Sequence, residues 1–377
     1  MAQLQASVVT GSFYVSGSDA NIHEISVGRG GGSIGTNTRV GVNALLNNTT
    51  GGGKTAVGRL ALRDNTTGVL NTAIGSQALV SNTVGNRSTA VGYYALKTNT
   101  IGGYNTALGV SALRDNTVGG INVAIGNYAL ATNISGNCNV SVGNNTLSAN
   151  TVGSNNTALG TNALTCNTAS NNTAVGTCAL RSNTTGTNNS SFGVNSLRTN
   201  TTGGANVAIG DSSLRYNTIG TNNVAVGNAS LMYNSDGNSN TALGFRSLQC
   251  NTASNNTAVG FCSLRSNTVG YYNAALGSSA LQNNTTGKRN TAVGALSLQC
   301  NTVGFCNTAL GTLSLRNNTT GTYNTALGAS SLVLNTIGSG NTAIGSNTLL
   351  SNTTGGSNTA VGSGALTSNT VGQYNVA

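Results

Sequence analysis

Proline and tryptophan are absent from this 377-residue chain, histidine occurs once, and only 6% of residues are charged. A lone His23 and six scattered acids (Asp19, Glu24, Asp64, Asp115, Asp211, Asp236) assemble no catalytic constellation, so a non-enzyme is expected. Cys-x-x-Cys is also missing, which disfavours a metal site, and no cofactor is expected. Gly30, Gly32 and Gly35 satisfy G-x-G-x-x-G without a βαβ unit around it. Gly53-Lys54-Thr55 imitates the end of a phosphate-binding loop, but Asn48 stands where its first Gly belongs.

What the chain has instead is a period. The unit N-T-A-V-G-x-x-A-L-x-x-N-T-T-G-x-x recurs from about Asn37 to the last residue, its glycine falling from Gly41 to Gly362 in twenty units. Most spacings are 17 residues; those ending at Gly176 and Gly260 are 16. Such a period means stacked units that bury a face only against their neighbours. A polar tract of this composition is compatible with disorder, but the apolar positions are phased too strictly. The residue four after each Gly (+4) is Leu from Leu45 to Leu366, and the residue before it (−1) is Val, Ile, Leu or Phe from Val40 to Val361.

Helix is disfavoured by the Gly, Asn and Thr in each unit and the lack of heptads. Two short strands (N-T-A-V-G and x-x-A-L-x) and an Asn/Gly turn per unit fit better. The expected fold is all-β: a parallel β-solenoid (β-roll) of about twenty 17-residue coils over 37–377, behind an N-terminal cap or attachment segment at 1–36. Coils about 4.8 Å apart predict a rod roughly 95 Å long.

Alternation assigns faces. The reading adopted turns the residue before Gly inward, together with the residue two earlier (−3), which is usually Thr but Val at Val123, Val140, Val207 and Val224. The small residue between them (−2) then faces out, as does the Ala, Ser or Thr before each Leu (Ala44, Ser196, Thr348). Two outward columns of small residues have two explanations, a tight bend between strands or close packing of other chains. A slender core favours the second. A homotrimeric rod is expected, with Ala124, Ala208 and Ala292 at the chain–chain interface.

Invariant Asn from Asn48 to Asn369 (+7), and Asn four before Gly (−4) except at Lys54 and Ser88, read as stacked scaffold columns. Net charge is +10, and Arg63, Lys97, Arg114, Arg181, Arg198, Arg215, Arg265 and Arg316 all stand five residues after the repeat Gly (+5). Stacking makes them a basic stripe suited to anionic surface glycans, or a solvated edge that discourages lateral association. Nucleic acid is not expected, since aromatics do not interleave with the stripe. Tyr93, Tyr94, Tyr128, Phe245, Phe261, Tyr104, Tyr271, Tyr272 and Tyr323 occupy variable positions, as sugar platforms or as ordinary surface packing. Cys166 with Cys178 and Cys250 with Cys262 flank the 16-residue coils; disulfides across each, and between Cys300 and Cys306, are expected, leaving Cys138 over.

NTAVG or NTAIG followed by xxALxxNTTG is similar to repeats in tail-fibre and appendage proteins of tailed phages, notably marine ones. Its TAVG core also resembles the head β-roll of trimeric autotransporter adhesins. The leader SVVTGSFYVSG and the stretch ISVGRGGGSIGTNTRVG resemble segments preceding such repeats in phage structural proteins. Met1 to Val15 has no basic start or long apolar run, and no coiled coil or membrane barrel follows, unlike the adhesins. No membrane insertion is expected.

The resemblance implies a virion structural protein: the shaft of a tail-fibre-like appendage supporting host attachment. Its expected partners are further copies of itself, other virion proteins through 1–36 and the C-terminal end, and host surface glycans. Tyr374 to Ala377 stop inside the first strand of a unit, which suggests a continuing product or a covering chain. The alternative is a cell-surface adhesin or self-assembling extracellular filament. A third is an ice-binding solenoid, disfavoured while the Thr column is read as inward.

Overall fold

The three residues before each repeat glycine form a strand, from Thr38–Val40 to Thr359–Val361. β-Branched residues suit extended backbone, and the Gly ends it. At Gly58 φ is +128°, and a Cβ there would lie 2.6 Å from the Gly75 carbonyl oxygen. This computed structural model describes residues 19–22 and 25–377. They form a parallel β-solenoid of about 19 turns, about 17 residues each, with no α-helix among the described residues. Val8, Val9, Phe13, Tyr14 and Val15, whose pattern around Gly11 and Gly17 suggests short strands, lie outside the described residues, as do His23 and Glu24.

The chain divides into two compact units, Met1–Asn144 and Asn145–Ala377. The first holds β1 (Asp19–Ile22), β2 (Ile25–Gly28) and one strand per coil from β3 (Thr38–Val40) to β9 (Val140–Val142). The second holds one strand per coil from β10 (Thr157–Leu159) to β22 (Thr359–Val361). Within each unit successive coil strands pair in parallel, one repeat apart: Thr72 with Thr89 and Ile74 with Val91 in the first, Thr291 with Thr308 and Val293 with Leu310 in the second. Equivalent residues therefore stand in columns.

Two expectations about the coil are corrected. The segment expected to be a second strand is a run of turns. Gly58, Leu60 and Leu62 have φ of +128°, +62° and +51°, so the backbone enters the left-handed region at alternate residues. Turn bonds close within the coil (Ala61 N to Gly58 O, 3.3 Å; Asn65 N to Leu62 O, 3.2 Å), and others reach the next one (Leu62 N to Ala78 O, 3.1 Å; Thr66 N to Thr83 O, 2.9 Å). Every coil thus satisfies its backbone against its neighbours without a second ladder.

The faces of the strand are also the reverse of those expected. The central residue is the inward one: Ala56, Ala73, Ala90 and their equivalents are wholly buried. The flanking Thr and Val, Ile or Leu point outward, including Val123, Val140, Val207 and Val224, which are half-buried on the outer face. Leu in the turn is inward as expected, but the small residue before it, expected to face out, is buried as well (Ala44, Ser196 and Thr348, 0% exposed). The reason is space. A loop of 17 residues already encloses one Leu and two Asn, and beside them the strand has room only for a methyl group. Arg39, read as outward, is only 9% exposed, and its Nη1 donates to Ala44 O at 3.4 Å.

Both Asn columns lie inside. Asn99 Nδ2 donates to Asn82 Oδ1 at 2.8 Å and to Gly102 O at 2.8 Å, and the pattern repeats up the +7 column. In the −4 column the side-chain oxygen receives the next backbone N–H, as from Asn223 N to Asn206 Oδ1 at 3.0 Å. The 16-residue coils absorb their deletion in the turn: Asn167 Nδ2 bonds Ala169 O at 2.8 Å, and Asn183 Nδ2 still reaches Asn167 Oδ1 at 2.7 Å.

Ser26-Val27-Gly28, which reads as a degenerate first coil, belongs instead to an antiparallel strand. β2 pairs with β1 and sets Val27 against Val40 of β3. The glycines of Gly30-Gly31-Gly32 serve close packing. A Cβ on Gly31 would lie 2.6 Å from the carbonyl oxygens of Leu46 and Asn48. At the other end, Val376 bridges to Thr359 in parallel.

Candidate functional site

Inward Ala leaves the outer face of the strand to two columns, Thr or Val at −3 except at Ser190 and Ala274, and Val, Ile, Leu or Phe at −1. No charged residue occurs in either column. Leu108 is 47% exposed in the first unit, and Leu276 is 50% exposed in the second. Within each unit the result is an uncharged, largely apolar stripe on the outer face of the parallel sheet. Contiguous apolar surface of this kind marks an interaction site. Ala124, Ala208 and Ala292, the expected interface residues, are each 0% exposed within their own chain. The apolar residues beside them occupy the outer surface instead.

The basic column is real but uneven. Arg63 Nε and Nη2 grip Asp64 at 2.7 and 2.6 Å, and Arg114 holds Asp115 at 2.8 and 2.5 Å. The Asp64 bond raises the Arg63 pKa and lowers the Asp64 pKa below the ordinary carboxylate value. Lys97 Nζ lies 4.4 Å from the Tyr94 ring centre, and Arg316 Nε donates to Gln299 at 3.2 Å. Arg181, Arg198 and Arg215 follow one another on hydrogen-bonded coils (Ser182 N to Arg198 O and Thr199 N to Arg215 O, 3.1 Å each). Arg265 is half-buried. The stripe is therefore neutralised at Arg63 and Arg114 and stands as three consecutive cations in the second unit.

Aromatics gather in columns as well. Tyr216 and Tyr233 stack at 5.2 Å and Phe245 and Phe261 at 5.4 Å, each pair one coil apart. Tyr271 and Tyr272 meet edge to face at 5.4 Å, as do Phe305 and Tyr323 at 5.3 Å. Tyr216, Tyr233 and Phe305 escaped the sequence reading, though the 17-residue spacing from 216 to 233 was visible there. Tyr93 and Tyr94 lie 3.8 Å apart, while Tyr104 takes Arg87 at 5.4 Å over its ring. Tyr128 is exposed.

All seven cysteines are free thiols, and none of the three expected disulfides is formed. Cys166, Cys250 and Cys300 stand six residues after a repeat Gly, Cys178 and Cys262 two after, and Cys138 and Cys306 twelve after. Each expected pair joins different columns. Among the described residues no group of three His, Cys, Asp or Glu is placed to hold a metal ion, and no helix is long and apolar enough to cross a membrane.

Lys54 was not singled out for its burial, yet it is 1% exposed in the inner Asn column. Its Nζ donates to Gly51 O at 2.8 Å and to Asn48 Oδ1. Burial lowers its pKa from 10.5 to about 8. No protein-family model matches the chain, and no curated protein matches it.

Proposed function

We propose that this chain is the shaft of a fibre-like virion appendage, assembled as a homotrimer and acting mechanically to support attachment to a host surface. The observation that carries the reading is the uncharged apolar stripe on the outer strand face. Inside a typical coil there is one Leu and otherwise small or polar residues, chiefly Ala, Ser, Asn and Gly, so a single chain buries little apolar surface. Turning the stripes of three chains toward a common axis buries the missing share. Partners at the ends of the shaft and on the host surface follow from the same role, as does location in the virion. An adhesin or extracellular filament uses the same assembly and differs in its export route.

Light scattering of the purified chain tests the assembly. A mass of three chains at micromolar concentration is expected, and a monomer would overturn the trimer.

One observation favours a second reading. The Thr column at −3 faces outward on the parallel sheet, with Thr291, Thr308, Thr325, Thr342 and Thr359 in succession. Regular hydroxyls and methyls on a flat face can order water, as an ice-binding surface requires. The neighbouring column varies from Val to Phe and is uneven for that purpose. Thermal hysteresis in dilute solution would replace the shaft reading, and none is expected.

A further inference from the structure

The two turn columns eleven and twelve residues after the repeat Gly carry a patch that the shaft role does not use. Over four successive coils of the second unit they hold Tyr271 and Tyr272, then Lys288 and Arg289, then Phe305, then Tyr323. Backbone bonds fix the succession: Arg289 N to Tyr271 O at 3.0 Å, Cys306 N to Lys288 O at 3.1 Å and Tyr323 N to Phe305 O at 3.2 Å. At about 4.8 Å per coil the patch spans about 14 Å. Tyr272 and Tyr323 are 56% and 62% exposed, and Arg289 is exposed between them. Lys288 Nζ lies 5.4 Å from the Tyr271 ring centre.

No acidic residue occurs after Asp236, whereas Arg246, Arg265, Lys288, Arg289 and Arg316 do. The two adjacent cations therefore have no carboxylate in their own or any later coil.

We propose that Tyr271, Tyr272, Lys288, Arg289, Phe305 and Tyr323 form a binding site for an acidic oligosaccharide. Aromatic faces on both sides of the cation pair receive the apolar faces of sugar rings, while Lys288 and Arg289 bind carboxylate or sulfate groups between them. The rise of one coil approximates the length of one pyranose ring, so alternate contacts stay in step along the columns. Rings paired edge to face do not offer the run of parallel platforms that single-stranded nucleic acid uses. The site lies outside the apolar strand face and does not depend on the trimer.

Calorimetric titration of the full chain with oligogalacturonate, a sulfated oligosaccharide, a neutral cello-oligosaccharide and single-stranded oligothymidylate tests it. Binding of one or both acidic sugars is expected, and which binds distinguishes carboxylate from sulfate. The double variant Lys288→Gln/Arg289→Gln should weaken that binding about tenfold or more, since it removes both charge-assisted hydrogen-bond donors. Tyr272→Asn/Tyr323→Asn should weaken it as well; Asn fits the left-handed backbone there, where φ is +57° and +56°. Circular dichroism and mass of both variants should match the parent, which separates failure of the site from failure of the shaft. Equal binding of the neutral sugar, unchanged affinity in both variants, no acidic-sugar binding, or preference for oligothymidylate would overturn the proposal.

Discussion

Asn116 donates from Nδ2 to Asn99 Oδ1 one coil away at 2.7 Å, and its own Oδ1 receives Asn133 Nδ2 at 2.7 Å. Each carboxamide is both donor and acceptor along the stack, and Asn116 also bonds Gly119 O at 2.9 Å. All three Asn are wholly buried. Asn116→Ala takes the donor from Asn99 Oδ1 and one acceptor from Asn133 Nδ2, which keeps Gly136 O at 3.0 Å. Each unsatisfied group costs about 1–3 kcal/mol, so a clear loss of stability in a denaturant titration is expected. An unchanged midpoint would mean that water replaces the carboxamide.

Ala292 and Leu310 distinguish the inside of the strand from its outside. Ala292→Leu places a large side chain in a filled coil and should lower the chain's own folded content by circular dichroism, whatever its assembly state. Leu276→Lys/Leu310→Lys/Leu327→Lys should leave the spectrum unchanged and reduce the mass in light scattering from three chains to one. The opposite pattern would restore the alanine face as the interface.

Ile121 has φ of +59° and is 61% exposed. A β-branched residue is strained there, whereas Asn visits this region readily. Other coils carry Asn at the same position, as at Asn155, Asn188 and Asn222. Ile121→Asn should raise stability by up to about 1 kcal/mol, read as a higher unfolding midpoint. A lower midpoint would show that Ile121 packs against another chain.

Lys54 gives the fold a pH dependence. Its pKa falls to about 8 on burial. Between that value and 10.5 the unfolded chain retains a proton that the folded chain has released, so stability rises with pH across this window. Below it both states are protonated, and the folded state carries the full cost of a buried ammonium. Lys54→Asn should stabilise the chain at pH 7 and remove the rise between pH 8 and 10, measured by urea titration at each pH. A rise of equal size in the variant would assign it to another group.

The 17-residue period, the one-coil-per-repeat architecture, the inward Leu and the scaffold role of Asn were legible in the sequence, because each needs only a residue type recurring at a fixed spacing. Stacking in register follows from the period alone, and with it the columns of Arg181, Arg198 and Arg215. Two-residue alternation separates Ala124 from Ile125 without saying which of them is inside. Hydrophobicity suggested Ile125, and the tertiary structure chose Ala124, since the closed coil has room for a methyl beside its Leu and two Asn. The left-handed turns after each Gly were hidden for a related reason: Leu62 and Leu60 are poor residues for that conformation taken singly, and only hydrogen bonds from adjacent coils hold them there. Local pattern thus determined the repeat, while the direction of each side chain was decided by how much volume one turn of the solenoid encloses.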